Sequence, residues 1–300
     1  MAINLEKILL HANERLMAAG AESGREEQIG VFKRFLSIES ARLKNRHRFG
    51  LSGSDIASGR SYMVDLIVCR VCQLIASEHE FSKDEINNCA LVALGGYGRR
   101  ELSPCSDIDI LFLRAGKRSK EVEEFVEKVL YLLWDMGLTV GHSYRSTREC
   151  IAMGKDLHSR NAMAEARLIT GNAPLFRRFS REMDERVFRN RSQAESFMEM
   201  MRLELETRYE RFGKTVCRLE PNIKESAGGL RDLHAVLWVG HSVYGARGLD
   251  DLRAQDRISG AEYRTARRAY DFILRVRNEA HRFAISFHRL RRSKRFLQQG

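Results

Sequence analysis

An α+β chain, predominantly helical, is what the sequence predicts, and three observations predict it. Pro104, Pro174 and Pro221 are the only prolines in 300 residues, so helices can run uninterrupted over most of the length. Apolar residues recur at three- and four-residue spacing, with charged faces between them, through residues 3–48 and 59–80. Short apolar runs of strand type, "LVAL" at 91–94 and "DIDILFL" at 107–113, interrupt that pattern.

Taken in order, the two helical segments are separated by "FGLSGSDIASG", a Gly/Ser-rich break. "LVAL" reads as a buried strand, "YGRREL" as a helical turn, and "DIDILFL" as a second strand whose polarity alternates at its start. "SKEVEEFVEKVLYLLWDM" is an amphipathic helix ended by Gly137, and "LTVGHSYR" is a third strand. Helices are expected to dominate beyond residue 146. This organisation divides the chain into an N-terminal helical segment (1–58), a domain containing the small sheet (59–150) and a helical domain (151–300).

Composition narrows the class. The chain is 43% hydrophobic and 30% charged, as an ordinary globular protein is. Charges run through the N-terminus, and no stretch approaches the roughly 18 uncharged apolar residues of a membrane span, so the expectation is a cytoplasmic protein without a membrane partner. Six cysteines at 69, 72, 89, 105, 150 and 217 read as reduced thiols. "CRVC" at 69–72 lies in an apolar helical run with no second pair to complete a zinc site, and reads as core. The net charge of +11 and pI near 9.6 point to an anionic partner, a nucleotide or a nucleic acid.

The stretch "LVALGGYGRRELSPCSDIDILFL" carries chemistry. Asp107 and Asp109 stand two apart on a strand, so their carboxylates share a face and repel unless a divalent cation or a proton intervenes. Gly95 and Gly96 end the preceding strand and open a helical turn, which lets phosphate oxygens approach the backbone without a Cβ in the way. The chemistry that fits is nucleotidyl transfer: the carboxylates hold Mg²⁺, and pyrophosphate leaves in line. Arg99 and Arg100 are placed to neutralise phosphate charge. Glycine pairs and DxD patterns are each common; strand, Gly-Gly, turn, Ser-Asp-x-Asp and strand in this order are far more specific.

"GGYGRRELSPCSDIDILFL" resembles the signature of the DNA polymerase β-like nucleotidyltransferases, and most closely that of the bacterial enzymes that add and remove uridylyl groups on the nitrogen-signalling protein PII. "LLWDMGLTVGHSYRSTREC" at 132–150, "EARLITGN" at 165–172 and "LEPNIKESAGGLRDLHAVLWV" at 219–239 resemble the same enzymes in the same order, so the likeness covers roughly residues 60–297. It implies a polymerase-β-like nucleotidyltransferase domain with a small mixed sheet, followed by a helical domain. It also implies a Mg²⁺-dependent transfer of UMP from UTP to a tyrosine of PII. Gly95 and Gly96 match the phosphate-cradling glycines, Ser106 the residue beside the first acid, and Asp107 and Asp109 the metal-binding, catalytic pair. Lys224, Gly228, Gly229, Arg231 and Asp232 match the second signature, where a Lys and an Arg beside a glycine turn reach phosphate or base.

There are departures. Asn222 stands where the family usually has Asp, Ser226-Ala227 where it has Gly-Pro, and Arg100 where Gly is commoner. The superfamily's third acid has no obvious counterpart; Glu149, Asp156 and Glu165 are the nearest carboxylates, and His142 and Arg145 are further residues that could face the site. No His-Asp dipeptide occurs, so the phosphohydrolase chemistry of uridylyl removal has no visible site, whether the sequence is a fragment or a shortened homologue. Two other functions remain open: nucleotidyl transfer to RNA ends or to another protein, and a non-catalytic nucleotide-binding module. The arginines of 264–295 fall on helical faces without aromatic stacking strips, which reads as a solvated face and argues against nucleic acid.

Overall fold

The structure, a computed structural model, describes residues 3–20, 22–79, 81–189, 191–213 and 222–297, with the side chains of 83, 191, 192 and 284–297 excepted. Cys217, Pro221 and the arginine side chains beyond residue 283 lie outside the described residues. The architecture is α+β and mostly helical, as expected, around a mixed four-stranded sheet.

Three helices come first: α1 (Leu5–Leu16), α2 (Arg25–Arg48) and α3 (Gly53–Glu78). The segment read as one helical run over 3–48 is broken at residues 17–24, where Gly20 and Gly24 interrupt it. The break before α3 is shorter than the sequence suggests. Ser52 accepts the Asp55 backbone N–H at 3.0 Å, so a serine cap turns the Gly/Ser-rich stretch into a helix start.

A short helix α4 (Lys83–Asn87) leads into β1 (Cys89–Ala93), α5 (Gly95–Gly98), β2 (Ile108–Arg114), α6 (Lys120–Asp135) and β3 (Val140–Ser146). Then come α7 (Thr147–Met153), α8 (Leu157–Ala164), β4 (Arg167–Gly171), α9 (Ala173–Met183), a π turn (Asp184–Phe188) and the helices α10 (Arg191–Phe212), α11 (Leu230–Tyr244), α12 (Leu249–Ala254) and α13 (Gly260–Leu297). The order in the sheet is β3-β2-β1-β4; β2 and β3 are parallel, and the other pairs antiparallel. β4 is a strand in a region where helices are expected to dominate and no strand is predicted. Its five residues are too few for a legible period-two pattern, and pairing with β1 is what extends them.

Strand alternation sorts the core into two layers. Leu91, Ala93, Ile108, Ile110 and Phe112 face α3 and α6, packing with Ile67, Phe125 and Val129. Ala90, Val92, Leu111 and Leu113 face α7 and α9, packing with Cys150, Phe179 and Met183. Each fully buried large side chain of this kind contributes about 1.5–3 kcal/mol, so the sheet's position is fixed from both faces. Cys69, Cys72, Cys89, Cys105 and Cys150 are free thiols, and burial pushes Cys69 up to about 11 and Cys89 to about 12, as suits packed thiols rather than ligands. No helix among the described residues is long and apolar enough to cross a membrane.

α13 lies across the start of α3. Asn278 donates to the Gly53 carbonyl at 3.1 Å, and Asp271 accepts from the Ser54 backbone at 3.0 Å. A Cβ on Gly53 would collide with the Arg275 backbone nitrogen and stand 2.6 Å from the Asp271 carbonyl oxygen. Gly53→Ala should therefore destabilise the protein by about 1–3 kcal/mol, read as a lower urea midpoint, because backbone and not a flexible side chain must move. An unchanged midpoint would show that the two helices do not need this approach.

Candidate functional site

Leu94, which follows β1, is extended, and Gly95 then turns the chain with φ +54°, a left-handed conformation that favours glycine. Three residues on, a Cβ at Gly98 would collide with the Glu165 carbonyl and lie 3.0 Å from that of Ala93, so this turn is pressed against the segment between α8 and β4. The next stretch, 99–106, hangs between α3 and α13. Arg60 donates to the Pro104 carbonyl at 3.0 Å, Ser61 accepts the Leu102 N–H at 3.3 Å, and His281 accepts the Cys105 N–H at 3.2 Å. Ser106 lines the cavity described next and also closes its own turn, accepting the Ser103 N–H at 3.1 Å.

The chain then enters β2. Asp107 and Asp109 are exposed and alternate with buried Ile108 and Ile110, so both carboxylates emerge on one face, as the spacing predicts. They border a cavity of about 330 Å³. Neither makes an ion pair or hydrogen bond with a side chain among the described residues. Lost solvation, then the charge of Asp107, raises the Asp109 carboxyl above its usual range, with Lys224 opposing. Two glycines flank Asp109: a Cβ at Gly95 would stand 3.5 Å from Oδ2, and one at Gly141 of β3, its cross-strand partner, 2.6 Å from Oδ1. The result is a pair of hard oxygen donors with open space around them, which fits a divalent cation whose remaining positions go to water and phosphate. No group of three or more metal-ligating side chains occurs among the described residues.

The opposite wall comes from the second glycine motif. Gly228 has φ +76°, and a Cβ at Gly229 would stand 2.8–2.9 Å from three carbonyl oxygens, of Ser226, Ile223 and Lys224. Both glycines are thus required by the turn. Asp232 holds it: it accepts from the Gly228 N–H at 2.7 Å, from Arg208 at 2.7 Å and from the Tyr209 hydroxyl at 2.8 Å. Gly228, Gly229 and Asp232 therefore shape the turn and do not border the cavity, whereas Lys224 and Arg231 do. Asn222 replaces a family carboxylate yet accepts the backbone N–H groups of Lys224 and Glu225, each at 3.0 Å, a role that needs an oxygen but no charge.

Arg99 is placed differently from the sequence expectation. It borders the cavity, but its guanidinium is committed to Glu101, at 2.8 Å, and to Glu165. Arg100, with φ +62°, does not border the cavity. Glu165 also accepts from the Trp238 indole, and Glu101 from the Tyr270 hydroxyl and from His234 at 3.2 Å. Burial opposes the Glu101 charge, but Arg99 and these donors outweigh it and hold the carboxyl down at about 2. Burial, reinforced by Arg99, holds His234 down at about 4. Of the three carboxylates considered as a third acid, only Glu165 reaches the cavity. Glu149 instead caps α7 and pairs with Arg114 at 2.8 Å, and Asp156 caps α8. His142 points to the other face of β3, with its ring 5.9 Å from that of Trp134, and neither it nor Arg145 borders the cavity.

Sequence reasoning missed Glu101, Asn161, Trp238 and Arg277, all of which line the cavity. Arg277 of α13 is the most telling. It was grouped with a solvated arginine face, but α13 crosses α3 and carries this side chain to the site, where it makes no ion pair with the described residues.

The fold and the paired carboxylates define a nucleotidyltransferase-type site, and comparison with known proteins agrees. Residues 42–145 match the family described as "Putative nucleotidyltransferase DUF294", and residues 196–298 match the family described as GlnD PII-uridylyltransferase. The chain is 36% identical over 234 residues to a bifunctional uridylyltransferase/uridylyl-removing enzyme of Hydrogenovibrio crunogenus, covering 78% of this chain and 25% of that protein. It is 37% identical over 243 residues to the enzyme of that name from Bradyrhizobium diazoefficiens, covering 80% of this chain and 25% of that one. The figures for Azospirillum brasilense are 36% over 253 residues, with 82% and 27% covered. The chain belongs to the PII-uridylyltransferase family of nucleotidyltransferases. It spans about a quarter of the length of these curated relatives.

The electrostatics of Asp109 yield a stability test. Its carboxyl titrates above the ordinary value in the folded state, so the folded form binds the proton more tightly than the unfolded form. Its contribution thus favours folding below the unfolded pKa, about 3.9, and is lost as pH rises through the raised folded value. At pH 7 the charge costs stability that a cation bound at the pair would restore. Asp109→Asn should raise the melting temperature in EDTA at pH 7 and abolish the further rise that millimolar Mg²⁺ or Mn²⁺ gives the wild type. A variant that melts lower in EDTA, or still responds fully to the cation, would contradict this electrostatic picture.

Proposed function

We propose that this chain carries a Mg²⁺-dependent nucleotidyltransferase centre that moves UMP from UTP to a tyrosine hydroxyl of a PII-type signal protein in the cytoplasm. One observation carries the reading: an otherwise unpaired Asp107/Asp109 couple and the cations Lys224, Arg231 and Arg277 border the same cavity. In this reading residues 59–150 supply the acids and residues 151–300 the cations. The uridylyl group and the PII acceptor are those by which the matching family is described, and UTP and the tyrosine are what the motif resemblance implies.

Each residue has a task. Asp107 and Asp109 hold the cation, with Gly95 and Gly141 leaving Asp109 room to reach it. Bound there, Mg²⁺ would offset charge on the triphosphate and lower the pKa of an oxygen it binds. Lys224 and Arg231 take the outer phosphate charge. Arg231 stays aimed through Glu225, at 3.2 and 3.3 Å, and over the Trp238 ring at 5.3 Å. Burial, then Arg231, lowers the Lys224 ammonium from its usual value, so an arriving phosphate relieves a crowded pair of cations. The tyrosine oxygen displaces pyrophosphate at the α-phosphorus, and the hydroxyl proton leaves to solvent.

Labelled UTP, Mg²⁺ and a PII-type protein carrying its own ligands, ATP and 2-oxoglutarate, test this directly. The expected result is label on a PII tyrosine, with ATP, CTP and GTP much poorer donors. Asp107→Asn and Asp109→Asn should each keep the circular dichroism spectrum and cut transfer below about a tenth, more than about 1.4 kcal/mol of transition-state stabilisation. Retention of more than that by both variants refutes the acid pair. Labelling of RNA ends in place of PII refutes the acceptor.

A further inference from the structure

A second cavity, of about 450 Å³, lies between α2, α3, the C-terminal end of α6 and α13. Its lining is asymmetric in charge. Lys44, Arg60 and Arg282 face it together with Ser37 and Ser40, and among the described residues no acidic side chain lines it. The rest is apolar, chiefly Leu36, Leu43, Ile56, Met136 and Leu138. Its volume lies in the range of small-molecule sites.

Arg60 is the informative residue. It is part-buried on α3, where its guanidinium donates to the Pro104 carbonyl at 3.0 Å and to the Ser40 hydroxyl at 3.4 Å. No carboxylate among the described residues pairs with it. Arg282, by contrast, is balanced by Glu279 at 2.8 Å. Two neutral acceptors leave most of a guanidinium's five N–H donors unused, and a cation withdrawn from water without an anion is costly. Lost solvation holds Arg60 below arginine's usual range, and Arg282 adds to this. The site has a cationic end, a hydroxyl rim and an apolar floor.

We propose that this cavity is a binding site for a small organic anion, with one carboxylate or phosphate group on a short apolar body, that completes the charge of Arg60. It is separate from the nucleotide cavity and does not rest on the transfer reaction proposed above. It is also adjacent to the acids. The Pro104 carbonyl that Arg60 holds lies three residues before Asp107, so an anion that engages Arg60 competes for the bond that fixes the acid-bearing turn. That position suits an effector.

Fluorescence titration of the whole chain with 8-anilinonaphthalene-1-sulfonate, an anion with an apolar body, tests the site, and hexanoate and hexyl phosphate serve as competitors. The expected result is saturable binding that either competitor displaces and excess UTP leaves intact; the stronger competitor identifies carboxylate or phosphate as the preferred head. Arg60→Gln should weaken the probe at least about tenfold, or 1.4 kcal/mol. Should Arg60→Gln fail to fold, Ala41→Phe decides, because it fills the cavity from its rim and keeps Arg60 with both its bonds; it too should lose the probe. No saturable binding at millimolar probe, displacement by UTP, or wild-type affinity in Ala41→Phe or in a folded Arg60→Gln overturns the proposal.

Discussion

The buried ion cluster of Arg99, Glu101 and Glu165 is the constraint on which the site depends. One guanidinium lies between two carboxylates, and the remaining lone pairs are met by His234 and Trp238 of α11 and by Tyr270 of α13. Four segments distant in sequence therefore have one satisfactory relative position. Deleting one partner would leave a buried charge uncompensated, a loss of about 3–5 kcal/mol in such networks. The cluster thus fixes where α11 and α13 stand relative to β2, and with them Lys224, Arg231 and Arg277.

The same cluster sets the charge of the cavity. Among the described residues five acids (Glu101, Asp107, Asp109, Glu165 and Glu204) line it against four bases (Arg99, Lys224, Arg231 and Arg277), and Arg99 is already spent on two of the acids. A triphosphate entering such a space meets a net negative wall near Asp107 and Asp109. The positive side chains alone do not compensate, so binding a polyanion here calls for divalent cations at the acid pair. Any metal dependence of the proposed transfer would thus be a property of the whole lining and not only of the two aspartates.

Legibility in the sequence followed the range of the interactions. The first three strands, the amphipathic α6 and the Asp107/Asp109 pair depend on periods of two and 3.6 residues, which a few neighbouring residues display. Gly95, Gly228 and Gly229 were readable because a turn demands them locally, although only the structure separates Gly229 as a turn former from Gly95 as a neighbour of an acid. What depends on contact between distant segments was hidden. Arg99 looked like a phosphate ligand because Glu165, its partner, is 66 residues away. Arg277 looked solvated because the crossing of α13 over α3 has no local signature. β4 is a strand only because β1 offers it an edge.

The turn that carries the acids is suspended between two helices, and this joins the stability of the fold to the geometry of the site. Arg60 and Ser61 of α3 hold Pro104 and Leu102, and His281 of α13 holds Cys105. Backbone contact at Gly53 fixes the distance between those helices, and α13 also supplies Arg277. A change in the angle of α13 would therefore move a wall of the cavity and the loop before Asp107 together. Within a packed core such motion occurs between discrete arrangements rather than as a graded drift.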